Sequence, residues 1–412
     1  MTSLRVCAIT CDCYPADPLV RRTAEAAASA GYDYHVICSM NEGQAKYEVF
    51  NRVHIHRIFL RGSKGKPLGR ISGKPFGMMV FLWSTFTFLA SLKVARLHLK
   101  EKFDVVHAHN LPDFLVFAAL IPKILGARVI LHVQDVSPEL MAAKAKGRFR
   151  NLTVRLATWQ ERLSTAFADH VLTVGWPFEE LLLKRGVPPK KLSSVLNSAD
   201  PNVFPLEKRT EPFLEKPTAQ RPLALMYHGT CNQHSGLDVA VRAFAKARAR
   251  APHLRLHFKI FGPSVPYVKE LAQELGVADQ VVFFPVGPID EVVDFVAQGD
   301  IAIIPYRSDG FMDLLLPTKA YEFALMRRPM IVSNTVAMRS MFRPASLMLC
   351  EPSNVDSFEE AIVDLYQHPE KRAQLIANAE QDYMPYRWEL MAERYQNVIA
   401  FVAGKAEANA AG

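Results

Sequence analysis

Asp300-Ile301-Ala302-Ile303-Ile304-Pro305-Tyr306, followed by Leu316-Pro317-Thr318-Lys319-Ala320-Tyr321-Glu322-Phe323, is the stretch on which the fold turns. Its first part is a short apolar run of the kind that forms a strand buried on both faces. Its second part predicts a helix over Thr318–Met326. Proline is tolerated at or near a first helical position, because its missing N–H has no intrahelical partner there. The other first-turn amides are left to point at an anion, the helix dipole favours that anion, and Lys319 adds a full charge beside it. A diphosphate suits such a site. Glu322 falls one turn after Thr318 on the same helical side, where its carboxylate can accept from the vicinal hydroxyls of a ribose. The alternative for Glu322 is a capping acid near a helix start.

Outward from this stretch, strands and helices alternate. Leu223–His228, Arg255–Phe261, Gln280–Phe284, Ile301–Pro305, Met330–Ser333 and Ser346–Cys350 read as strands, with helices over Gly236–Arg250, Tyr267–Leu275 and Asp290–Ala297. Upstream, Arg5–Thr10, Tyr34–Cys38, Val53–Phe59, Val105–Ala108, Val129–Val133 and His170–Val174 form an earlier series, with a helix over Asp17–Ala30 ended by Gly31. Such alternation is that of α/β domains with parallel sheets covered by helices. A length of 412 residues predicts two domains and a cleft between them. Residues 1–200 are expected to form the first, 223–385 the second, and the proline- and charge-rich segment 201–222 the connector. Trp388, Met391, Tyr395, Val398, Ile399 and Val402 share one helical face, so 386–405 is expected as a helix returning to cover the first domain.

The composition, 50% hydrophobic and 22% charged, is that of a folded globular chain. A net charge of +8 suits nucleic acid, anionic lipid or a phosphorylated small molecule, so its placement matters. Much of it lies in one segment, at Arg61, Lys64, Lys66, Arg70, Lys74, Lys93, Arg96, Lys100 and Lys102, interleaved with Met78-Met79-Val80-Phe81-Leu82-Trp83. The apolar run from Phe76 to Leu92, about seventeen residues, falls short of a membrane span and reads as an amphipathic helix. Either it packs beside the sheet, or it lies on an anionic membrane surface with Trp83, Phe86 and Lys93 as contacts. The six cysteines lack paired CxxC spacing and read as buried thiols, which with no apolar signal before Arg5 predicts a cytoplasmic setting, peripheral to the inner face of the cell membrane.

The Asp300–Glu322 stretch and the following Arg328-Pro329-Met330-Ile331-Val332-Ser333 resemble the donor-binding region of GT-B glycosyltransferases similar to family 4. The likeness extends to Tyr227-His228-Gly229-Thr230, Ser235-Gly236-Leu237, Phe261-Gly262-Pro263 and Val281-Val282-Phe283-Phe284-Pro285-Val286. In the first half it takes in Asp17-Pro18-Leu19-Val20-Arg21-Arg22, Phe103-Asp104-Val105-Val106-His107-Ala108-His109, Asp135-Val136-Ser137-Pro138-Glu139 and Asn197-Ser198-Ala199-Asp200. The resemblance implies two Rossmann-like domains, with a nucleotide sugar held by the second, an acceptor by the first, and transfer in the cleft. By matching position, Lys319 and the Thr318 amide hold the diphosphate, Glu322 the ribose, the backbone near Val286 the base, and the Gly229-Thr230 loop lines the donor.

The sequence departs from this pattern in three places. A first glutamate often stands eight residues before the second, and here that position is Leu314, with Asp309 or Asp313 as candidate replacements. The basic residue often found before the glycine of the first loop is Ser235. The glycine that usually follows the Glu322 helix is Arg327.

In the first half, His109 ends a strand where open α/β sheets place ligands, and either meets an acceptor hydroxyl or ties strand to loop. His107, two residues earlier, reads as structural. Asp135 is either a general base beside the acceptor or a cap for the helix starting near Pro138. His228 and His234 are candidate phosphate contacts, and the histidines around Cys231 match no zinc spacing. The expected function is therefore sugar transfer from a nucleotide diphosphate, UDP ahead of GDP, to a glycan or polyprenyl-linked acceptor in cell-surface polysaccharide biosynthesis. Retention of configuration, no metal requirement and no nucleic-acid partner complete the expectation. The alternatives are a sugar-nucleotide epimerase of the same fold, or a non-catalytic protein that binds anionic lipid or nucleic acid. No GxGxxG follows the first strand, and Gly69-Arg70-Ile71-Ser72-Gly73-Lys74-Pro75 lacks the length and hydroxyl of a P-loop.

Overall fold

The computed structural model describes residues 3–62, 67–68, 71, 76–144 and 150–405. Lys64, Lys66, Arg70 and Lys74 of the basic segment, and most of the stretch from Gly69 to Pro75, lie outside the described residues. The chain divides into two compact units, one of Met1–Asn197 with Glu389–Gly412 and the other of Ser198–Trp388.

In the first unit the strands β1 (Arg5–Cys13), β2 (Asp33–Ser39), β3 (Tyr47–Phe50), β4 (Val53–Ile58), β5 (Val105–His109), β6 (Arg128–Val133), β7 (His170–Thr173) and β8 (Leu192–Ser194) form an 8-stranded sheet. Their order is β3-β4-β2-β1-β5-β6-β7-β8, parallel except where β3 runs antiparallel to β4. Val6 through Ile9 are wholly buried, as a strand covered by helices on both faces requires. The helix Pro18–Ser29 starts where Asp17 Oδ1 accepts from the amides of Leu19 and Val20, at 3.0 and 3.1 Å, which satisfies two otherwise orphaned donors.

The helix Phe76–Glu101 is long and apolar enough, by length and composition, to cross a membrane. Yet it packs on the sheet through Trp83, Phe86, Ala90, Val94, Ala95 and His98. This corrects the expected membrane contacts: Trp83 and Phe86 are in the core, 7% and 0% exposed, and Lys93 is half-buried. The outward side carries Phe81, Phe88, Leu92 and Leu99 instead.

From Glu389 onward the helix Trp388–Val402 belongs to the first unit. Its Tyr395 hydroxyl lies 2.7 Å from the Tyr34 hydroxyl and 2.8 Å from His107 Nδ1, and Gln396 Nε2 donates to the Ala26 carbonyl at 3.2 Å. Tyr395, Val398 and Ile399 are wholly buried.

In the second unit β9 (Leu223–Thr230), β10 (Leu254–Phe261), β11 (Val281–Phe283), β12 (Ile301–Ile304), β13 (Met330–Ser333) and β14 (Met348–Cys350) form a parallel 6-stranded sheet in the order β11-β10-β9-β12-β13-β14. One layer of its core joins Leu225, Leu256 and Ile303 to Phe244 of the helix Leu237–Ala247 and Phe358 of the helix Val355–Gln367. The helix Thr318–Leu325 ends on Arg327, which takes the left-handed conformation (φ 57°) usually reserved for glycine there. All six cysteines are buried free thiols, and burial pushes Cys231 up to about 11. The winding of each sheet passes from one side to the other at a central pair, β1 and β5 in the first sheet and β9 and β12 in the second. Beyond the carboxyl ends of such a pair is where open α/β sheets receive ligands.

Candidate functional site

At the central pair in the second unit, β9 ends at Gly229 and Thr230, and β12 leads into Pro305 and Tyr306. Between them rises Lys319, second residue of the helix Thr318–Leu325 and 8% exposed. Its Nζ donates to the Tyr306 hydroxyl at 2.7 Å and the Tyr227 hydroxyl at 3.1 Å, and stands over both rings, 5.0 and 4.4 Å from their centres. Burial opposes the charge on Lys319, but the Tyr227 and Tyr306 hydroxyls outweigh it and hold its pKa above the usual value. No carboxylate among the described residues forms an ion pair with Lys319. Its charge is thus solvated by neutral groups only, which suits it to an incoming anion.

Two glycines shape the approach. A side chain at Gly229 would start 3.4 Å from Lys319 Nζ, and its φ of 107° favours glycine, so the ammonium keeps an open flank. At Gly236 (φ 64°) a Cβ would stand 1.9 Å from the Pro305 carbonyl oxygen, so only glycine lets the loop after β9 close against the end of β12. Ser235, at the position where similar sequences often carry a basic residue, is buried and shares a reciprocal cap with Asn232.

Pro317 is the cap itself, one position before the first helical residue, and Thr318 opens the helix half-buried. The first amides, those of Thr318 and Lys319, have no intrahelical acceptor. Glu322 is half-buried, with Oε2 3.0 Å from His228 Nε2. The pair is close but not aligned for a hydrogen bond, so both atoms keep unused bonding capacity. Val286 lies exposed in the loop after β11. Of the candidate replacements for the first glutamate, Asp309 accepts from the amides of Phe311 and Met312 and contacts His234 Nδ1 at 2.9 Å, and Asp313 accepts from Ser308 Oγ at 2.7 Å. Both shape the loop leading to Pro317.

At the central pair in the first unit, Asn110 joins the loops after β5 and β6. Its Nδ2 donates to Asp113 Oδ1 and to the Asp135 carbonyl, each at 2.7 Å, and its Oδ1 accepts from the amides of Gln134 and Asp135. Asp135 is half-buried at this position. His109 is wholly enclosed, with Nδ1 2.9 Å from Gln134 Nε2. That corrects the expected meeting of His109 with an acceptor hydroxyl: its ring lies behind Gln134, and the half-buried Gln134 and Asp135 are the polar groups nearer the surface. His107 and His132 are enclosed beside it, and burial lowers the pKa of all three, so the rings are neutral.

Residues 17–197 match the family described as "Glycosyl transferase 4-like domain", and residues 222–368 match "Glycosyl transferases group 1". The chain belongs to the family 4-like, GT-B glycosyltransferases. A D-inositol 3-phosphate glycosyltransferase of Acidothermus cellulolyticus is 27% identical over 179 residues, 41% of this chain and 39% of that protein, so the match spans well under half the length of this relative. Among solved structures, the sucrose-phosphate synthase of Thermosynechococcus elongatus superposes with a TM-score of 0.75 at 16% identity, over 98% of this chain and 100% of that one. Anabaena HepE in complex with UDP and glucose gives a TM-score of 0.67 at 13% identity, over 97% and 100% of the two chains. At such identities the likeness is one of fold.

In this glycosyltransferase, Gly229, Thr230, Thr318, Lys319 and Glu322 gather around the β9–β12 pair, and Val286 belongs to the loop beyond β11. Tyr227, Tyr306 and the His228–Glu322 contact were missed from the sequence. The signal was present in part, since Tyr227 and Tyr306 stand at the ends of the two predicted strands that frame the site.

Proposed function

We propose that this glycosyltransferase moves a sugar from a nucleoside diphosphate, UDP ahead of GDP, to a glycan or polyprenyl-linked acceptor in cell-surface polysaccharide biosynthesis. The observation that carries the proposal is Lys319, a buried cation with no carboxylate partner among the described residues, beside the open flank of Gly229 and the first amides of a helix. As the bond from the anomeric carbon to the diphosphate breaks, negative charge grows on the leaving oxygen. Lys319 and the Thr318 and Lys319 amides stabilise that charge without having to reorganise. Glu322, with spare acceptor capacity, takes the ribose hydroxyls, and the backbone near Val286 meets the base. No protein nucleophile or metal is assigned to this step. The diphosphate oxygen takes the acceptor proton on the face it leaves, so the anomeric configuration is retained. NMR of the product tests this: an inverted anomer would instead make Asp135 the general base.

Two helix surfaces favour an acceptor at a membrane. Phe81, Phe88, Leu92 and Leu99 lie exposed on the helix Phe76–Glu101, with Arg96 and Lys100. On the helix Arg150–Phe167, Leu152, Leu156, Trp159 and Leu163 form an exposed stripe flanked by exposed Arg150, Arg155 and Arg162. Both helices pack on the same segment, Asp113–Ala119. Apolar side chains ringed by cations match an anionic bilayer surface.

Thermal shift against UDP, GDP, ADP and their sugars tests the donor assignment, since a ligand of the native state raises its melting temperature. UDP is expected to give the largest shift, and a flat response to all of them would overturn the proposal. Product formed from the nucleotide sugar with no acceptor present would point to the epimerase reading.

A further inference from the structure

His107 and His109 stand two residues apart on β5 and so on one face of the sheet, and His132 of β6 is in register with His109. One ring nitrogen from each lies within 4.8 Å of the other two, and all three residues are 0% exposed. The outer nitrogens of two rings are fixed from behind, His107 Nδ1 by the Tyr395 hydroxyl at 2.8 Å and His109 Nδ1 by the Gln134 amide at 2.9 Å. The remaining atoms, His107 Nε2, His109 Nε2 and both nitrogens of His132, have no hydrogen-bond partner. A neutral imidazole carries one N–H and one lone pair, and burying three without partners for these atoms is costly.

A divalent transition metal removes most of that cost, because it takes one lone pair from each ring and leaves a single His132 nitrogen unpartnered. Imidazole is a favoured ligand of such ions, and three histidines make a complete set for a site with one further position. The hydrogen bonds behind the rings are those that orient metal-bound histidines. With the Gln134 amide turned so that its oxygen accepts from Nδ1–H, His109 presents Nε2 as a ligand. Amide oxygen and nitrogen are interchangeable in such an assignment.

We propose that His107, His109 and His132 form a binding site for a single divalent transition-metal ion, zinc being the best match, which ties β5 and β6 to the terminal helix through Tyr395. Ligands at about 2.0–2.1 Å from tetrahedral zinc lie about 3.4 Å apart, so the rings draw together around the ion. The three ligands belong to the first unit and Lys319 to the second. The cluster of Asp33, His35 and His54 is a weaker competitor, because its ring nitrogens are already engaged. His35 bonds His56 and Asp33 at 3.0 and 3.1 Å, and His54 Nδ1 bonds Tyr47 at 2.9 Å.

The test uses the full chain stripped with a chelator and titrated with zinc, and with cobalt followed by its visible absorption. Wild type is expected to bind about one equivalent that survives gel filtration, with a tetrahedral cobalt spectrum and a raised melting temperature. His132→Asn and His107→Gln are each expected to lose that equivalent, and His54→Gln to keep it. Folded wild type retaining less than about a tenth of an equivalent would overturn the site and leave the histidines to ordered water. An equivalent lost in His54→Gln and kept in His132→Asn would overturn it equally. Since the wild-type titration decides alone, misfolding of a variant does not shield the proposal.

Discussion

In the proposed donor complex Lys319 meets the diphosphate and Glu322 the ribose, and their substitutions separate accordingly. Hydrogen bonds to charged groups contribute about 1.5–3 kcal/mol, so Lys319→Ala is expected to weaken nucleoside-diphosphate binding about 10- to 100-fold. The corresponding nucleoside, which lacks phosphate, should bind wild type and variant alike. Glu322→Ala is expected to weaken binding about tenfold and to abolish discrimination against a 2′,3′-dideoxy nucleotide. Arg327 tests the backbone. Its left-handed conformation costs about 1 kcal/mol for a non-glycine residue, and its ion pairs to Glu380 and Glu211, 3.5 and 3.8 Å at a partly exposed side chain, offset little of that. Arg327→Gly is therefore expected to raise the denaturant midpoint, and a lowered midpoint would show that the side chain matters more than the strain. The sequence marked Lys319 through the helix start it sits on. It did not mark Tyr227 and Tyr306 as the groups that keep Lys319 charged, because that depends on which strands become neighbours. Nor could it show that Arg327 takes the glycine conformation, which the bond from the Arg328 amide to the Phe323 carbonyl at 2.9 Å imposes.

Among the elements, the helix Phe76–Glu101 was legible in kind but not in orientation. Its buried Trp83, Phe86 and Ala90 and its exposed Phe81, Phe88 and Leu92 are alike apolar, so the hydrophobic pattern does not say which side meets the sheet. The strands β3 and β8 were not read, because each is an edge strand without an apolar run, Tyr-Glu-Val-Phe largely exposed and Leu-Ser-Ser polar. The terminal helix was read correctly because its apolar residues keep to one face. If the exposed faces meet a bilayer, Phe81→Ser with Phe88→Ser, or Trp159→Ser with Leu156→Ser, should reduce cosedimentation with anionic vesicles. Each pair should change stability by less than about 0.5 kcal/mol per substitution, since none of these side chains is in the core. Equal binding of wild type and both double variants, or no binding of wild type to anionic vesicles at low salt, would contradict the membrane reading.

Across the whole molecule, the alternation of strands and helices made both parallel sheets legible, because that pattern has few other solutions. The histidine cluster was not legible as a unit, since His132 joins His107 and His109 only through strand register. Acid stability follows from other buried histidines. Burial lowers His56 from 6.5 to about 3, and lowers His170, whose Nε2 contacts Ser193 Oγ, from 6.5 to about 4. Both are neutral when folded but gain a proton when unfolded, so their stabilisation is full above pH 6.5 and declines as pH falls toward the folded values. Each should cost the first unit about 1 kcal/mol per pH unit below 6.5, and His170→Gln should flatten the slope of denaturant midpoint against pH. The central claim is that a buried, carboxylate-free lysine receives a nucleoside diphosphate, and isothermal titration of UDP into wild type and Lys319→Ala tests it most directly. The prediction is one saturable site in wild type, weakened at least about tenfold in the variant. Equal affinity in both, or no binding of any nucleoside diphosphate to wild type, would contradict it.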